Sequence, residues 1–173
     1  MTIRLTFEQL EIGNVWTSPS RTITETDVVN FGTTTGDLNP LHHDYEFAKN
    51  SHYRQPVAHG LLGLSWAAGL SSVHPYVETV AFVGVRDWEF SRPLFIGDTV
   101  HVVTEVIEKQ ESPKRNGRVY WRLQLINQRG EVAQRGVFET LVRVASGIRR
   151  PNYEKNRNST PPAVEAKNDN KPR

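Results

Sequence analysis

Strict alternation of apolar and polar positions dominates the second half of the chain. Val100, Val102, Thr104 and Val106 alternate with His101, Val103, Glu105 and Ile107, and Val119, Trp121, Leu123 and Leu125 alternate with Tyr120, Arg122 and Gln124. Ahead of them, Val80, Phe82, Gly84, Arg86, Trp88 and Phe90 read as one face of a strand, with Ala81, Val83 and Val85 on the other. A last strand is expected from about 132 to 144. Turn chemistry separates these runs: Phe95-Ile96-Gly97-Asp98, a polar loop at 113–117, and Gln128-Arg129-Gly130. Period-two runs between such turns predict an antiparallel meander.

The first half has a different period. Thr24 and Asp27 form a capping-box pattern, and Val28, Phe31 and Thr35 follow at helical spacing. A helix over about 25–35 is expected, its end delivering Gly36 and then Asp37. Asp44 precedes one possible helical turn at 45–50, and residues 1–17 suit a short helix or turn leading to an edge strand. The run 60–70, Gly-Leu-Leu-Gly-Leu-Ser-Trp-Ala-Ala-Gly-Leu, is apolar all round and predicts a helix buried on most faces. So many glycines weaken its intrinsic preference for a helix. Close packing against a wrapped sheet accounts for them better. One buried helix before several long antiparallel strands gives an α+β fold.

Composition divides the 173 residues unevenly. The last 25 residues, 149–173, hold seven Lys/Arg against three Asp/Glu, so the remainder carries 14 basic and 16 acidic residues. The basic balance therefore belongs to a tail, and a basic nucleic-acid-binding core is not supported. The expected organisation is one domain over 1–148 and a basic disordered tail over 149–173. Without cysteine there are no disulfides and no thiolate metal sites. No apolar run has the length of a membrane span and the first residues do not read as a signal peptide, so a soluble cytoplasmic protein is expected.

Candidate chemistry concentrates in the stretch 36–61. Gly36-Asp37-Leu38-Asn39-Pro40-Leu41-His42-His43-Asp44 sets an acid and an imidazole on either side of a rigid Asn-Pro pair. Pro40 fixes its own φ and pushes Asn39 towards extended geometry, so a loop of defined shape is expected. Gln55-Pro56-Val57-Ala58-His59-Gly60 then opens the small-residue helix. Polar groups on a stiff loop beside a helix start are the parts of an acid–base site with an anion-stabilising corner. The same spacing also suits ordinary loop chemistry, with Asp37 capping a turn and His42 at the surface. His42, His43, Asp44, His52 and His59 cluster in sequence, but adjacent histidines rarely ligate one metal and no His-x-x-x-His pair lies on a helix, so no metal is expected. His59 reads as a histidine that hydrogen-bonds a nearby loop, or one that supports the site from behind. Trp66 and Trp121 read as core. Arg86 is expected to pair with an acid such as Glu89 or Asp98 rather than with an anionic ligand, and Lys114-Arg115 to sit at a solvated hairpin tip.

Taken together, the motif 36–44, Phe47-Ala48, Pro56-Val57-Ala58-His59-Gly60, the lead-in Arg21-Thr22-Ile23-Thr24-Glu25-x-Asp27 and Phe90-x-x-Pro93-x-x-x-Gly97-Asp98-Thr99-Val100 resemble the MaoC-like dehydratase and (R)-specific enoyl-CoA hydratase family. The resemblance runs to about Leu141. It implies a hot dog fold, a long central helix wrapped by a curved antiparallel sheet, in a chain that dimerises or forms a higher homo-oligomer. It also implies interconversion of 2-enoyl and (R)-3-hydroxyacyl thioesters carried on coenzyme A or an acyl carrier protein, with no cofactor. By position, Asp37 and His42 match the catalytic pair and Gly60 the residue whose backbone N–H polarises the thioester carbonyl. Asn39, which also helps to hold the loop, His59 and Leu61 are the expected substrate-binding positions. Two alternatives stay open: an acyl-thioester hydrolase on the same fold, and a non-catalytic acyl-binding subunit of a hetero-oligomer.

Overall fold

A computed structural model of the chain describes residues 4–111 and 116–145. The hairpin tip with Lys114-Arg115, the boundary at 148/149 and the tail lie outside the described residues.

A 3-10 turn at Phe7–Gln9 leads into two short strands, β1 (Val15–Thr17) and β2 (Arg21–Thr22). Helix α1 (Glu25–Thr35) follows, with α2 (Pro40–His43), α3 (Tyr45–Lys49) and α4 (Gly60–Ser71) behind it. Four long strands complete the fold: β3 (Thr79–Phe90), β4 (Thr99–Gln110), β5 (Asn116–Asn127) and β6 (Val132–Arg143). All pairings are antiparallel, in the order β1-β4-β5-β6-β3, with β2 also on β4.

In β4 and β5, sequence alternation fixes which face is buried. Val100, Val102 and Val106 of β4 and Val119, Trp121, Leu123 and Leu125 of β5 are buried, and they meet Leu62, Trp66 and Ala67 of α4 in one core. Fully burying a side chain of this size contributes roughly 1.5–3 kcal/mol. Helix α4 is anchored to the sheet by that stripe. Trp66 and Trp121 are core residues as expected, and the Trp121 indole N–H donates to Thr140 Oγ1 across the sheet at 2.8 Å.

Four expectations need correction. The meander runs only through β4, β5 and β6; β3 crosses over to pair with β6 at the far edge. Nothing local in a strand records a partner dozens of residues away. Second, the simple alternation of β3 fails, because its register slips between Thr79 and Ala81, Phe82 and Gly84, and Arg86 and Glu89. Each such irregularity re-aims the residues beyond it. Phe82 and Trp88 therefore pack on Phe138, while Arg86 pairs with neither Glu89 nor Asp98 but with the buried Glu139. Third, α4 is buried on one side only. Leu62, Gly63, Trp66 and Ala67 face the sheet, while Gly60, Leu61, Ser65 and Gly69 are exposed. Fourth, the Asn-Pro segment is not all loop. Asn39 caps the single helical turn of α2, its side-chain oxygen accepting the Leu41 N–H at 2.9 Å with Pro40 as the first helical residue.

Candidate active site

The end of α1 places the first group. Gly36 takes a left-handed conformation, φ 79°, and its N–H returns to the Gly32 carbonyl, which closes the helix and turns the chain sharply into Asp37. Such a position favours glycine because a Cβ would be strained there. Asp37 Oδ1 accepts the Asn39 N–H at 3.3 Å, and Asn39 in turn caps α2. Two nested side-chain-to-backbone bonds thus hold the acid and present His42 one helical turn later.

His42 is fixed from behind. Its Nδ1 lies 2.6 Å from the Val57 carbonyl oxygen. A carbonyl can only accept, so Nδ1 carries the hydrogen and Nε2 keeps its lone pair. That Nε2 faces Asp37 Oδ2 at 4.0 Å. The separation is too long for a direct hydrogen bond, and a water oxygen within about 2.8 Å of both atoms fits between them off the axis. The His42 side chain is 13% exposed and that of Asp37 53%, so the pair opens to solvent on the acid's side.

His59 is the third member. It is 2% exposed, its Nε2 sits 3.0 Å from the Asp37 carbonyl oxygen, and its ring stacks on His42 with centroids 3.8 Å apart. Phe31 of α1 lies against its ring at 5.1 Å, and His43 at 5.5 Å. Burial holds the His59 imidazole below its ordinary range; the bond to Asp37 opposes that shift and the neighbouring His42 adds to it. Of the expected substrate-binding residues, His59 is closed off behind the pair, Asn39 holds the loop, and Leu61 is 57% exposed at the helix start. Ligand atoms of Asp37, His42 and His59 all lie within 4.8 Å of one another, the spacing of a potential metal-binding trio. In that trio the His59 Nε2 already serves the Asp37 carbonyl.

Gly60 is the first residue of α4, and no side chain caps this helix. Among the described residues its N–H has no hydrogen-bond acceptor. The Phe90 ring closes one side of it: a Cβ built on Gly60 would lie 3.0 Å from Phe90 Cδ1. One side chain here was not picked out from the sequence. Gln134 of β6 is buried, and its Nε2 donates to the Gly60 carbonyl oxygen at 3.0 Å. The signal was available, because Gln134 falls in phase with Phe138 and Val142, where an alternating strand asks for an apolar residue. Farther along α4, Ala68, Val77, Phe82, Trp121 and Phe138 help to line an apolar cavity of about 260 Å³. At the rise of an α-helix, Ala68 lies roughly 12 Å beyond Gly60.

Among the described residues no helix is long and apolar enough to cross a membrane. Residues 8–124 match the MaoC like domain. A 3-hydroxybutyryl-CoA dehydratase of Methylorubrum extorquens is 35% identical over 115 residues, 60% of this chain and 65% of its own length. Matches to the first curated relatives span from 36% to 65% of those proteins' lengths. The solved structure of a monoamine oxidase regulatory protein from Archaeoglobus is 39% identical, with a TM-score of 0.75 over 81% of this chain and 95% of that one. A double-hotdog protein of Mycobacterium tuberculosis, 21% identical, superposes with a TM-score of 0.74 over 85% of this chain and 46% of its own, a likeness of fold alone. The helix lying on its antiparallel sheet is thus a hot dog fold, and the chain belongs to the MaoC-like domain family.

Proposed function

We propose that this chain interconverts 2-enoyl and (R)-3-hydroxyacyl thioesters, with Asp37 and His42 as the acid–base pair. The carrying observation is the 4.0 Å gap between Asp37 Oδ2 and His42 Nε2, in a chain segment that also sets out the Gly60 N–H at the uncapped start of α4. Hydration adds water across C2 and C3. A water held between the two groups gives a proton to the pair as its oxygen bonds C3. The π electrons move towards the thioester oxygen, and the pair returns a proton to C2. His42 suits the exchange because its Nδ1 is held by the Val57 carbonyl and its Nε2 keeps a lone pair that can take up and return a proton. The negative charge that builds on the thioester oxygen needs a donor already in place, which the Gly60 N–H at a helix start supplies. The hand of the product follows the family resemblance. The relative named as a CoA dehydratase supports a coenzyme A thioester as the substrate.

The same reading has the chain work as a dimer of two copies. Strand β3 stands at the edge of the sheet and exposes Val80, Phe82, Val83 and Val85. An edge strand with such a row of side chains is a surface for pairing with another chain.

Absorbance at the enoyl-thioester band with crotonyl-CoA tests the activity. Loss of the band without free thiol supports hydration. Free thiol would instead point to hydrolysis, and an unchanged band across a series of enoyl-CoA chain lengths would refute the assignment.

A further inference from the structure

Gln134 is 2% exposed near the start of β6, and its two partners allow it one orientation. The Trp88 indole N–H can only donate, and it lies 3.2 Å from Gln134 Oε1. The Gly60 carbonyl can only accept, and it lies 3.0 Å from Gln134 Nε2. The position therefore asks for a side chain that accepts at one end and donates at the other. Leucine would leave the half-buried indole N–H without this acceptor, and an ionised glutamate would set a charge against the Gly60 oxygen.

Two glycines on different elements make room for this chain of bonds. A Cβ on Gly63 would lie 2.3 Å from Gln134 Nε2, and a Cβ on Gly136 would lie 2.6 Å from Trp88 Cε3. Gly63 is inside α4, where glycine is less favourable than alanine by about 1 kcal/mol. Both sites give up a side chain so that β3, through β6, can reach the first residue of α4. That residue is held on its other sides as well, by the Phe90 ring and by the buried His59 before it.

We propose that Gln134 is a positioning residue which, together with Trp88, fixes the Gly60 backbone so that its N–H meets the thioester oxygen. This rests on the reading of Gly60 as the polarising donor. A first-turn carbonyl with only its helical partner is free to tilt, and a second donor from the sheet removes that freedom. Holding the Gly60 carbonyl narrows the backbone torsions of Gly60 that aim its N–H, and a donor already aimed at the developing charge does not have to reorganise during the reaction. Its loss is therefore felt in turnover rather than in substrate binding.

The test compares wild type, Gln134→Leu and Gln134→Glu on crotonyl-CoA across about pH 6 to 9, with amide hydrogen exchange at Leu62 and Gly63, the first amides of α4 whose N–H groups have an acceptor. A misplaced catalytic group can cost up to about 10²-fold, so Gln134→Leu is expected to lower kcat by at least ~10-fold with KM within about 2-fold, and to speed exchange at both amides. A buried glutamic acid is driven towards its neutral form, which can donate to the Gly60 oxygen and accept from Trp88 as the amide does. The ratio of Gln134→Glu to wild-type kcat should therefore fall as pH rises. A Gln134→Leu protein that melts like wild type with unchanged kcat and unchanged exchange overturns the proposal, as does a flat Gln134→Glu ratio. Should wild type itself show no hydration, the functional reading fails, and the exchange rates alone decide the clamp.

Discussion

The two longest helices begin in opposite ways. Helix α1 closes its start on itself: Thr24 Oγ1 accepts the Asp27 N–H at 3.2 Å, and Asp27 Oδ2 accepts the Thr24 N–H at 2.9 Å. Helix α4 begins behind His59 with no side-chain cap, and the His59 ring is turned away to the Asp37 carbonyl. An uncapped start normally leaves orphan donors to water. In α4 the open start is exposed at Gly60 and lies next in sequence to the buried imidazole of His59, which stacks on His42. The contrast separates a helix closed at its first turn from one whose first turn stays open, which is where the proposed reaction would use it.

Substitutions can break this contrast at either end. The largest effect is expected beside the open start: Asp37→Asn and His42→Ala should each lower hydration turnover by at least ~10²-fold while the protein melts as wild type does. Near-normal turnover in either variant removes it from the acid–base pair. At the closed start the outcome should reverse. Thr24→Ala is expected to lower stability by about 1 kcal/mol in denaturant unfolding, with turnover unchanged.

His59 adds a dependence on pH. Burial lowers its pKa in the folded protein, whereas an unfolded histidine titrates near about 6.5. Below that pH the unfolded chain takes up a proton that the folded chain refuses, so stability falls as the solution is acidified towards the folded pKa. Thermal melting scanned from neutral to mildly acidic pH should show this loss, and His59→Gln should show less of it. An equal acid sensitivity in both proteins would place the titrating group elsewhere.

Much of this contrast was legible in the sequence. The Thr24/Asp27 box, the turn into Asp37 and the start of α4 at Gly60 are all written in neighbouring residues, where caps and glycines act locally. The inward valines of β4 were equally plain, because a strand buried on one face repeats its instruction every second residue. What was not legible depends on distant pairing. Arg86 finds Glu139 only because β3 crosses the fold to β6, and no residue near Arg86 reports that crossing. The one-turn helix α2 was read as loop because Asn-Pro serves both as a helix start and as an extended hinge. Gln134 was overlooked for a related reason: its meaning lies in Trp88 and Gly60, 46 and 74 residues away.

The seat of Gln134 also changes the engineering of this helix. Replacing a helical glycine by alanine ordinarily stabilises a protein by up to about 1 kcal/mol. Gly69 should follow that rule, since nothing lies within 4 Å of a Cβ there. Gly63, six residues earlier on the same helix, should not, because its added methyl displaces a buried amide from both of its partners. A thermostabilisation campaign that treats the glycines of α4 alike would thus gain at one and lose at the other. Melting temperatures of Gly69→Ala and Gly63→Ala, moving in opposite directions, would map where the helix can be stiffened and where its looseness in composition is a fitted space.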